Sequence, residues 1–421
     1  MSEHQEIKIT KQTDPAEEAQ QQELAKMYAS KKRPLCHCRN PGLEMYIAKI
    51  DDHYIVKRMP DTGALHAPTC ESYEPPPELS GLGEVLGSAI KETADGKTDL
   101  NFNFSMIRFE SSRIIVPKED EDDLPSETKA VKAPPNKLSL EAVLYYLWDQ
   151  AGLNKWSPAM EGKRNWYSIY YPLVSALTGK QAKGASLAEK FYIPEPLRLE
   201  KKDEITRRRV TRFASAISKK TNQRPCLMLL GEVKSFGPSK YGSALVLKHS
   251  KEHSFYLGKQ LSDRVQRKHR DNLALLETGA SRLMTIGTFS VSTNGITTVE
   301  ELTFVPVNAN YIPFDSSLEQ SLINSLTEKH RHFTKCLRYN LDLDTPIASV
   351  VLNDTEPQQT AMYILPPESS ANYIAAQHRL IEGSVLASWV WDVEKDFYPE
   401  IPPPPGGDEP ITETADEEDD E

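Results

Sequence analysis

A chain of 421 residues, 38% hydrophobic and 26% charged, is too long for one ordinary core, so two or three domains are expected. No run approaches the roughly 18 apolar residues of a membrane span, and the start MSEHQEIKITKQTDPAEEAQQQEL lacks the basic and apolar regions of a secretory signal. These features predict a soluble protein of a reducing cytoplasm with no membrane partner, where its five cysteines favour metal ligation over disulfides.

The net charge of −11 is unevenly spread. Asp392 to Glu421 holds 13 acidic residues against Lys395 alone, whereas residues 137–225 hold 17 Lys and Arg against 8 Asp and Glu. The acidic excess sits largely in a tail, and the middle of the chain is basic.

Residues 1–33 are Gln- and Glu-rich with one weak helical stretch, Ala16 to Ser30, and read as a mobile arm. Residues 34–77 read as a compact unit closed by Pro75-Pro76-Pro77, which cannot donate backbone bonds. A short α/β segment spans 78–117, with a Gly-interrupted helix from Leu79 to Ile90 and strands between Phe102 and Val116. Residues 118–136, with EDEDD at 119–123, read as an acidic linker.

Residues 137–224 read as a basic helical domain. Ser139 caps a helix with Leu140, Val143, Leu144, Leu147 and Trp148 inward, ended by Gly152. Lys163 to Thr178 gives a second helix, kinked at Pro172, and Ser186 to Phe191 a third. Asp203 to Lys220 gives a fourth, with Val210, Phe213, Ala214 and Ile217 inward.

Residues 225–401 read as a C-terminal α/β domain. Cys226 to Leu230 and Ser243 to Leu247 flank the Gly/Pro-rich GEVKSFGPSKYG as a hairpin. Met284 to Ser292 and Ile296 to Val307 form another, with Asn294-Gly295 in its turn. Phe314 to Tyr339 reads as a long amphipathic helix with Leu318, Leu322, Leu326 and Phe333 inward. Strands follow at Ile347 to Leu352 and Ala361 to Leu365, and Trp389 to Trp391 begins the last ordered segment before the acidic, disordered tail, 402–421.

The strongest chemical signal is PLCHCRNPGLEMYIAKIDDHYIVKRMPDTGALHAPTC. Met45 to Ile50 and Tyr54 to Met59 are strand-like runs around an Asp51-Asp52-His53 turn. Such a hairpin sets Cys36 and Cys38 beside His66 and Cys70 at its open end. Cys36 and Cys38, two apart, point one way in an extended segment; His66 and Cys70, four apart around Pro68, suit a turn opening a short helix. Three thiolates and one imidazole complete a tetrahedral structural zinc site, with no open position for catalysis. A small hairpin gains folding free energy directly from such an ion. Buried apolar thiols are the blander alternative, disfavoured by polar, Pro-rich flanks. His37 points away from the sulfurs, and His53 lies on the order of 15–20 Å away by strand rise.

The CxC start, the hairpin and the later His and Cys resemble the uncharacterised bacterial family known as domain of unknown function 1173, whose three N-terminal cysteines match Cys36, Cys38 and Cys70. The resemblance extends through LWDQAGLNKWSPAMEGKRNW at 147–166, LLGEVKSFGPSKYG at 229–242 and SWVWD at 388–392. It implies a setting, plasmids and integrating elements, and no established activity. The order CxC…HxxxC is also similar to the SWIM zinc finger, CxC…CxH, with the last two ligand types reversed and more widely spaced.

Lys163 and Arg164 beside Trp166 and Tyr167, and Arg207, Arg208, Arg209 and Arg212 on one helix, are the candidate nucleic-acid contacts. Short successive helices ending in such a helix fit a helix-turn-helix-like unit that binds DNA or RNA. A solvated basic face is the alternative. The acidic tail could occupy the same surface when nucleic acid is absent.

Gly231-Glu232-Val233-Lys234 offers the ExK half of a PD-(D/E)xK nuclease motif, with no PD ahead of it. The order of the helix containing Glu319 and the strands 346–352 and 361–365 also resembles that nuclease fold, but Ala348 or Ser349 and Tyr363-Ile364-Leu365 stand where carboxylates and lysine belong. No Walker loop, GxSxG or HExxH appears. Cys226 and Cys336 lie among apolar neighbours as core thiols.

The sequence therefore predicts an α+β multidomain protein: an N-terminal zinc-binding β-hairpin module, a central basic helical domain, and a C-terminal mixed α/β domain resembling a degenerate PD-(D/E)xK nuclease. The expected function is a non-catalytic, nucleic-acid-associated role. A divergent metal-dependent nuclease using Glu232 and Lys234 and a protein–protein assembly factor are the alternatives.

Overall fold

The computed structural model describes residues 15–50, 53–59, 62–92, 97–109, 134–217, 223–240, 242–395 and 398–405. The acidic linker up to residue 133, the turn residues Asp51 and Asp52, and the tail from residue 406 lie outside this set. The described chain is mixed α and β, and no helix in it is long and apolar enough to cross a membrane.

From residue 15 the expected mobile arm is a docked helix, α1 (Pro15–Ala29). It packs on a three-stranded sheet of β1 (Leu35–Cys36), β2 (Leu43–Ile50) and β3 (His53–Arg58). The Gln21 side chain accepts from the Tyr54 backbone amide at 2.7 Å and donates to its carbonyl at 2.9 Å, and the Tyr28 and Tyr54 rings meet at 5.4 Å. Those contacts offset the ordering entropy that composition alone left unanswered. The predicted helix within 79–90 is one turn, Leu82–Val85, and Ile90–Glu92, Thr98–Leu100, Lys180–Ala182 and Ala185–Ser186 form a small separate sheet.

Helix α2 (Leu140–Gln150) forms as the sequence predicts: the Ser139 hydroxyl accepts from the Ala142 amide at 3.1 Å, and Gly152 takes φ +65° beyond its end. Residues 142–148 are all buried, so the helix is enclosed all round and not amphipathic. Strand β4 (Lys155–Trp156) leads to α3 (Trp166–Ala176), capped by an Asn165–Ser168 capping box and containing Pro172. The third predicted helix is a single turn, Leu187–Lys190, followed at once by β5 (Phe191–Tyr192), which interrupts the helix succession that a helix-turn-helix unit requires.

Helix α4 (Lys202–Ala214) departs from its predicted register. Arg209, Phe213 and Ala216 are buried, while Val210 is 59% exposed and Ala214 faces solvent. The cause is a partner distant in sequence. Arg209 donates to Ser250 Oγ and to Glu252 Oε1, each at 2.8 Å, which satisfies a buried guanidinium.

Strand β6 (Gln223–Ser239) runs straight through the Phe236-Gly-Pro segment expected to be a turn, with a bulge between Val233 and Ser235. It pairs antiparallel with β7 (Gly242–Leu247), which pairs antiparallel with β8 (Ser250–Gly258). Helices α5 (Lys259–Lys268) and α6 (Arg270–Thr278) follow; together with β8 they fill a stretch for which the sequence suggested no element. Then come β9 (Arg282–Val291) and β10 (Thr297–Val307), the predicted hairpin, with Gly295 at φ +77° in its turn. β8 pairs parallel with β10, β10 antiparallel with β9, and β9 antiparallel with the first half of β6, so five strands close into a barrel. Leu229, Val233, Leu245, Phe255, Leu257 and Phe289 fill its interior.

The predicted long helix of 314–339 is α7 (Ser317–Glu328), then a turn, then β11 (Phe333–Lys335). His330 takes φ +52°; its amide bonds the Thr327 carbonyl at 3.1 Å and the Arg331 amide bonds that of Leu326 at 3.0 Å. This Schellman closure ends the helix, so Phe333 is buried from a strand. Strands β12 (Val350–Leu352) and β13 (Thr360–Leu365), helix α8 (Ala371–Glu382) and β14 (Ala387–Asp392) complete a five-stranded sheet in the order β14-β13-β12-β11-β4.

The boundary expected near residue 225 does not separate two cores. Outward Met228, Leu230, Met284, Ile286, Val305 and Val307 of the barrel pack in one cluster with α2, and β4 from the helical span pairs with β11. Beneath the C-terminal sheet, Lys335 Nζ lies 2.9 Å from Glu319 Oε1, their side chains 2% and 5% exposed. Lys335→Ala would strand that carboxylate and cost about 3–5 kcal/mol. The expected result is a large fall in the thermal midpoint, partly restored by adding Glu319→Leu to Lys335→Met; equal melting of wild type and Lys335→Ala would refute this account of the pair.

Candidate metal centre and basic cleft

The antiparallel register Cys36↔Leu43 starts the hairpin at the cysteines, and β3 returns the chain to a 3-10 turn, Gly63–Leu65, that delivers His66. The Cys70 amide bonds the Ala67 carbonyl at 2.8 Å, so His66 and Cys70 face each other across a turn and not at the start of the expected helix.

One ligand atom each from Cys36, Cys38, His66 and Cys70 lies within 4.8 Å of the others. Cys36 Sγ is 3.6 Å from Cys70 Sγ, and His66 Nδ1 is 3.4 Å from Cys38 Sγ and 3.6 Å from Cys70 Sγ. Zinc–sulfur and zinc–nitrogen bonds of ordinary length on a tetrahedron require about 3.8 Å between sulfurs and about 3.6 Å from sulfur to nitrogen. The four side chains fit one tetrahedral ion.

The electrostatics suit ligation. The Ala67 amide, donating to Cys38 Sγ at 3.4 Å, holds that thiol below its ordinary pKa. The Cys38 amide favours the Cys36 thiolate, but burial and the neighbouring thiols of Cys38 and Cys70 push Cys36 up, a repulsion that a cation removes. Burial first, then Arg58 and Arg39, hold His66 below its ordinary value, leaving the neutral ring that binds metal. His66 is fully buried and its Nε2 has no hydrogen-bond partner, so Nδ1 is the atom presented to the sulfurs.

The candidate nucleic-acid contacts divide. Arg164 turns inward: it donates to the carbonyls of Leu153 at 2.8 Å, Asn310 at 3.1 Å and Lys155, and lies 5.4 Å from the Trp156 ring centroid. Burial pushes its pKa down to about 10. Arg209 is held by Ser250 and Glu252. These two residues are braces within the fold and not surface contacts, because their donors are consumed by internal acceptors.

Lys163 and Arg207 are exposed. Arg208 grips Glu195 through two bonds of 2.8 and 2.6 Å, and Arg212 donates to the Ala188 carbonyl at 2.9 Å. Arg207, Arg208 and Arg212 line a cleft of about 820 Å³ together with Lys190, Tyr170 and Glu189. Lys163 is not among its lining residues.

Glu232 and Lys234, the candidate ExK pair, have different surroundings. Glu232 is 2% exposed and accepts from Lys248 Nζ at 2.6 Å, Arg282 at 3.2 Å and the Tyr311 hydroxyl at 2.9 Å, while Lys234 lies exposed at the bulge. Lys248, Arg282 and Tyr311 were invisible to sequence reasoning because they come from 16, 50 and 79 residues away. Among the described residues, the metal-capable grouping of His, Cys, Asp and Glu is the cysteine cluster.

Replacing Cys70 with serine removes one thiolate. The expected outcome is loss of bound metal and new limited-proteolysis cuts within residues 34–77, with the barrel fragment intact; unchanged metal content and an unchanged digestion pattern would disprove the ligand set.

No curated protein and no solved structure matches the chain. Residues 7–394 match the family described as Protein of unknown function (DUF1173), and the chain belongs to that family.

Proposed function

We propose that this chain is a zinc-stabilised, non-catalytic protein that binds nucleic acid. The metal reading rests on the ligand chemistry, three thiolates and one imidazole with tetrahedral spacings and, among the described residues, no fifth group, which suits a closed structural zinc site.

The observation that carries the binding role is the cleft beside α4. Arg207, Arg208, Arg212 and Lys190 line one concave surface of a chain whose net charge is −11. Of the five cations in its lining, Arg209 is paired with Glu252 and Arg208 with Glu195, which leaves Lys190, Arg207 and Arg212 against Glu189. Phosphate is the ligand that such a concentration of guanidinium groups attracts, through charge and forked donors. The setting of mobile DNA that goes with the family resemblance fits this role.

Two measurements test it. Elemental analysis of purified protein should find one zinc per chain. Binding to a labelled DNA or RNA should weaken steeply with salt, and Arg207→Glu with Arg212→Glu should reduce affinity at least tenfold and flatten that salt dependence. Absence of binding to any nucleic acid at low salt would sink the reading.

A further inference from the structure

The barrel carries a second surface. Numbered within the barrel, its strands close in the order 1-2-3-5-4-1: β6, β7, β8, β10, β9 and back to β6, with the one parallel pairing between β8 and β10 and with α5 and α6 inserted before the fourth strand. That connectivity is the one of the oligonucleotide/oligosaccharide-binding barrel, which uses the outer face of its second and third strands. Connectivity alone assigns no function, so the case rests on the face itself.

On the side of β9 and the first half of β6, the outer surface is buried beneath α2. Over β7 and β8 the outward residues remain accessible. One row across the strands reads Gly237, Ala244, Tyr256, Thr298, and the next Ser235, Val246, Ser254. Small side chains make a flat floor from which Tyr256, 45% exposed, projects. Residues 233–258, which supply this face, hold Lys234, Lys240, Lys248 and Lys251 against Glu252, and Glu252 is already paired with Arg209.

At the Lys248–His249 turn the surface opens into a pocket of about 390 Å³ that includes Tyr167, Arg198, Arg282 and Tyr311. Its buried carboxylate, Glu232, is outnumbered by Lys248 and Arg282, whose side chains stay 39% and 37% exposed. Tyr167 is 49% exposed, with the Arg198 guanidinium 5.2 Å from its ring centroid. Exposed aromatic faces separated by cations match unpaired bases joined by phosphates. A duplex hides its base faces, and a neutral sugar chain has no use for the positive charge.

We propose that the β7–β8 face and this pocket bind single-stranded nucleic acid, with bases stacked on Tyr256 and Tyr167 and phosphates met by Lys234, Lys248, Arg282 and Arg198. The proposal rests on the nucleic-acid reading above and specifies its substrate class and a second contact surface.

The test uses the full chain and fluorescence anisotropy with labelled dT20, U20 and a 20-base-pair duplex, roughly two barrel footprints long. Either single strand should bind at least tenfold tighter than the duplex. Tyr256→Ala should weaken that binding about 5- to 100-fold, the range for loss of one base–aromatic stack, with Tyr256→Phe close to wild type. Lys234→Gln should lower the salt slope by about 0.7. Circular dichroism of each variant checks the fold. If Tyr256→Ala and Lys234→Gln bind dT20 and U20 like wild type while the Arg207/Arg212 double variant does not, the face is wrong and the nucleic-acid role stands. Equal affinity for duplex and single strands also overturns the face, and no binding to any of the three removes both.

Discussion

One strand makes the barrel possible, because it must satisfy two sets of neighbours. Residues Cys226 to Glu232 of β6 pair with β9, and Val233 to Ser239 pair with β7. The exchange of partners falls at the bulge between Val233 and Ser235, where the added twist turns the strand from one wall of the barrel to the next. Close approach at the wall requires a residue without a Cβ at Gly287, where a Cβ would lie 2.5 Å from the Glu301 carbonyl oxygen. The same strand sets the chemistry of its outer surface. Met228 and Leu230 are buried under helix, Glu232 is buried but ion-paired, and Lys234 is in solvent. Core, pocket floor and open face follow one another along alternate residues of a single strand.

Charged side chains tie the layers around that barrel. Arg209 links α4 to β8, Arg164 links the segment after β4 to the loop at Asn310, and Glu232 gathers Lys248, Arg282 and Tyr311 from three separate elements. Each of these groups would be costly to bury alone, so each contact favours one packing arrangement over its competitors. A basic residue count is therefore a poor guide to a binding surface. Two of the six candidate contacts are consumed internally, while Lys248, Arg282 and Arg198 around the pocket drew no attention as sequence.

What was legible in the sequence is what local physics decides. The Ser139 cap with its apolar helix and the Asn294-Gly295 turn depend on residues close along the chain, and Cys36, Cys38, His66 and Cys70, though 34 residues end to end, are gathered by a hairpin whose strands and turns carry their own local signals; each stands as expected. The failures share the opposite property. The register of α4 depends on Glu252, 43 residues beyond Arg209, and the docking of α1 on Tyr54, 33 residues beyond Gln21. Gly237-Pro238 reads as a turn by composition, yet it sits in a barrel strand opposite Ala244 and Ser243. Helix α7 stops at His330 by a left-handed closure that no glycine advertises.

The metal centre connects to the rest of the chain through its own turn. Among the described residues of its strands, Met45 and Ile47 are the buried apolar ones, so an ion held by the four candidate ligands would supply much of the hairpin's folding free energy. Beyond Cys70 the chain presents the carbonyls of Glu71 and Tyr73 to Lys155 Nζ at 2.9 and 2.7 Å, and Tyr73 is 2% exposed. Glu74 pairs with Arg58 of β3. Lys155 belongs to β4, the edge strand of the C-terminal sheet, which pairs through Phe333 and Thr334 with the strand holding the buried Lys335. An ion that fixes Cys70 thus fixes the three residues that hook the hairpin onto that edge. Without it, the loop regains its conformational freedom and the Lys155 contacts must be made against that entropy. An ion at this centre would therefore set how firmly the N-terminal unit is held.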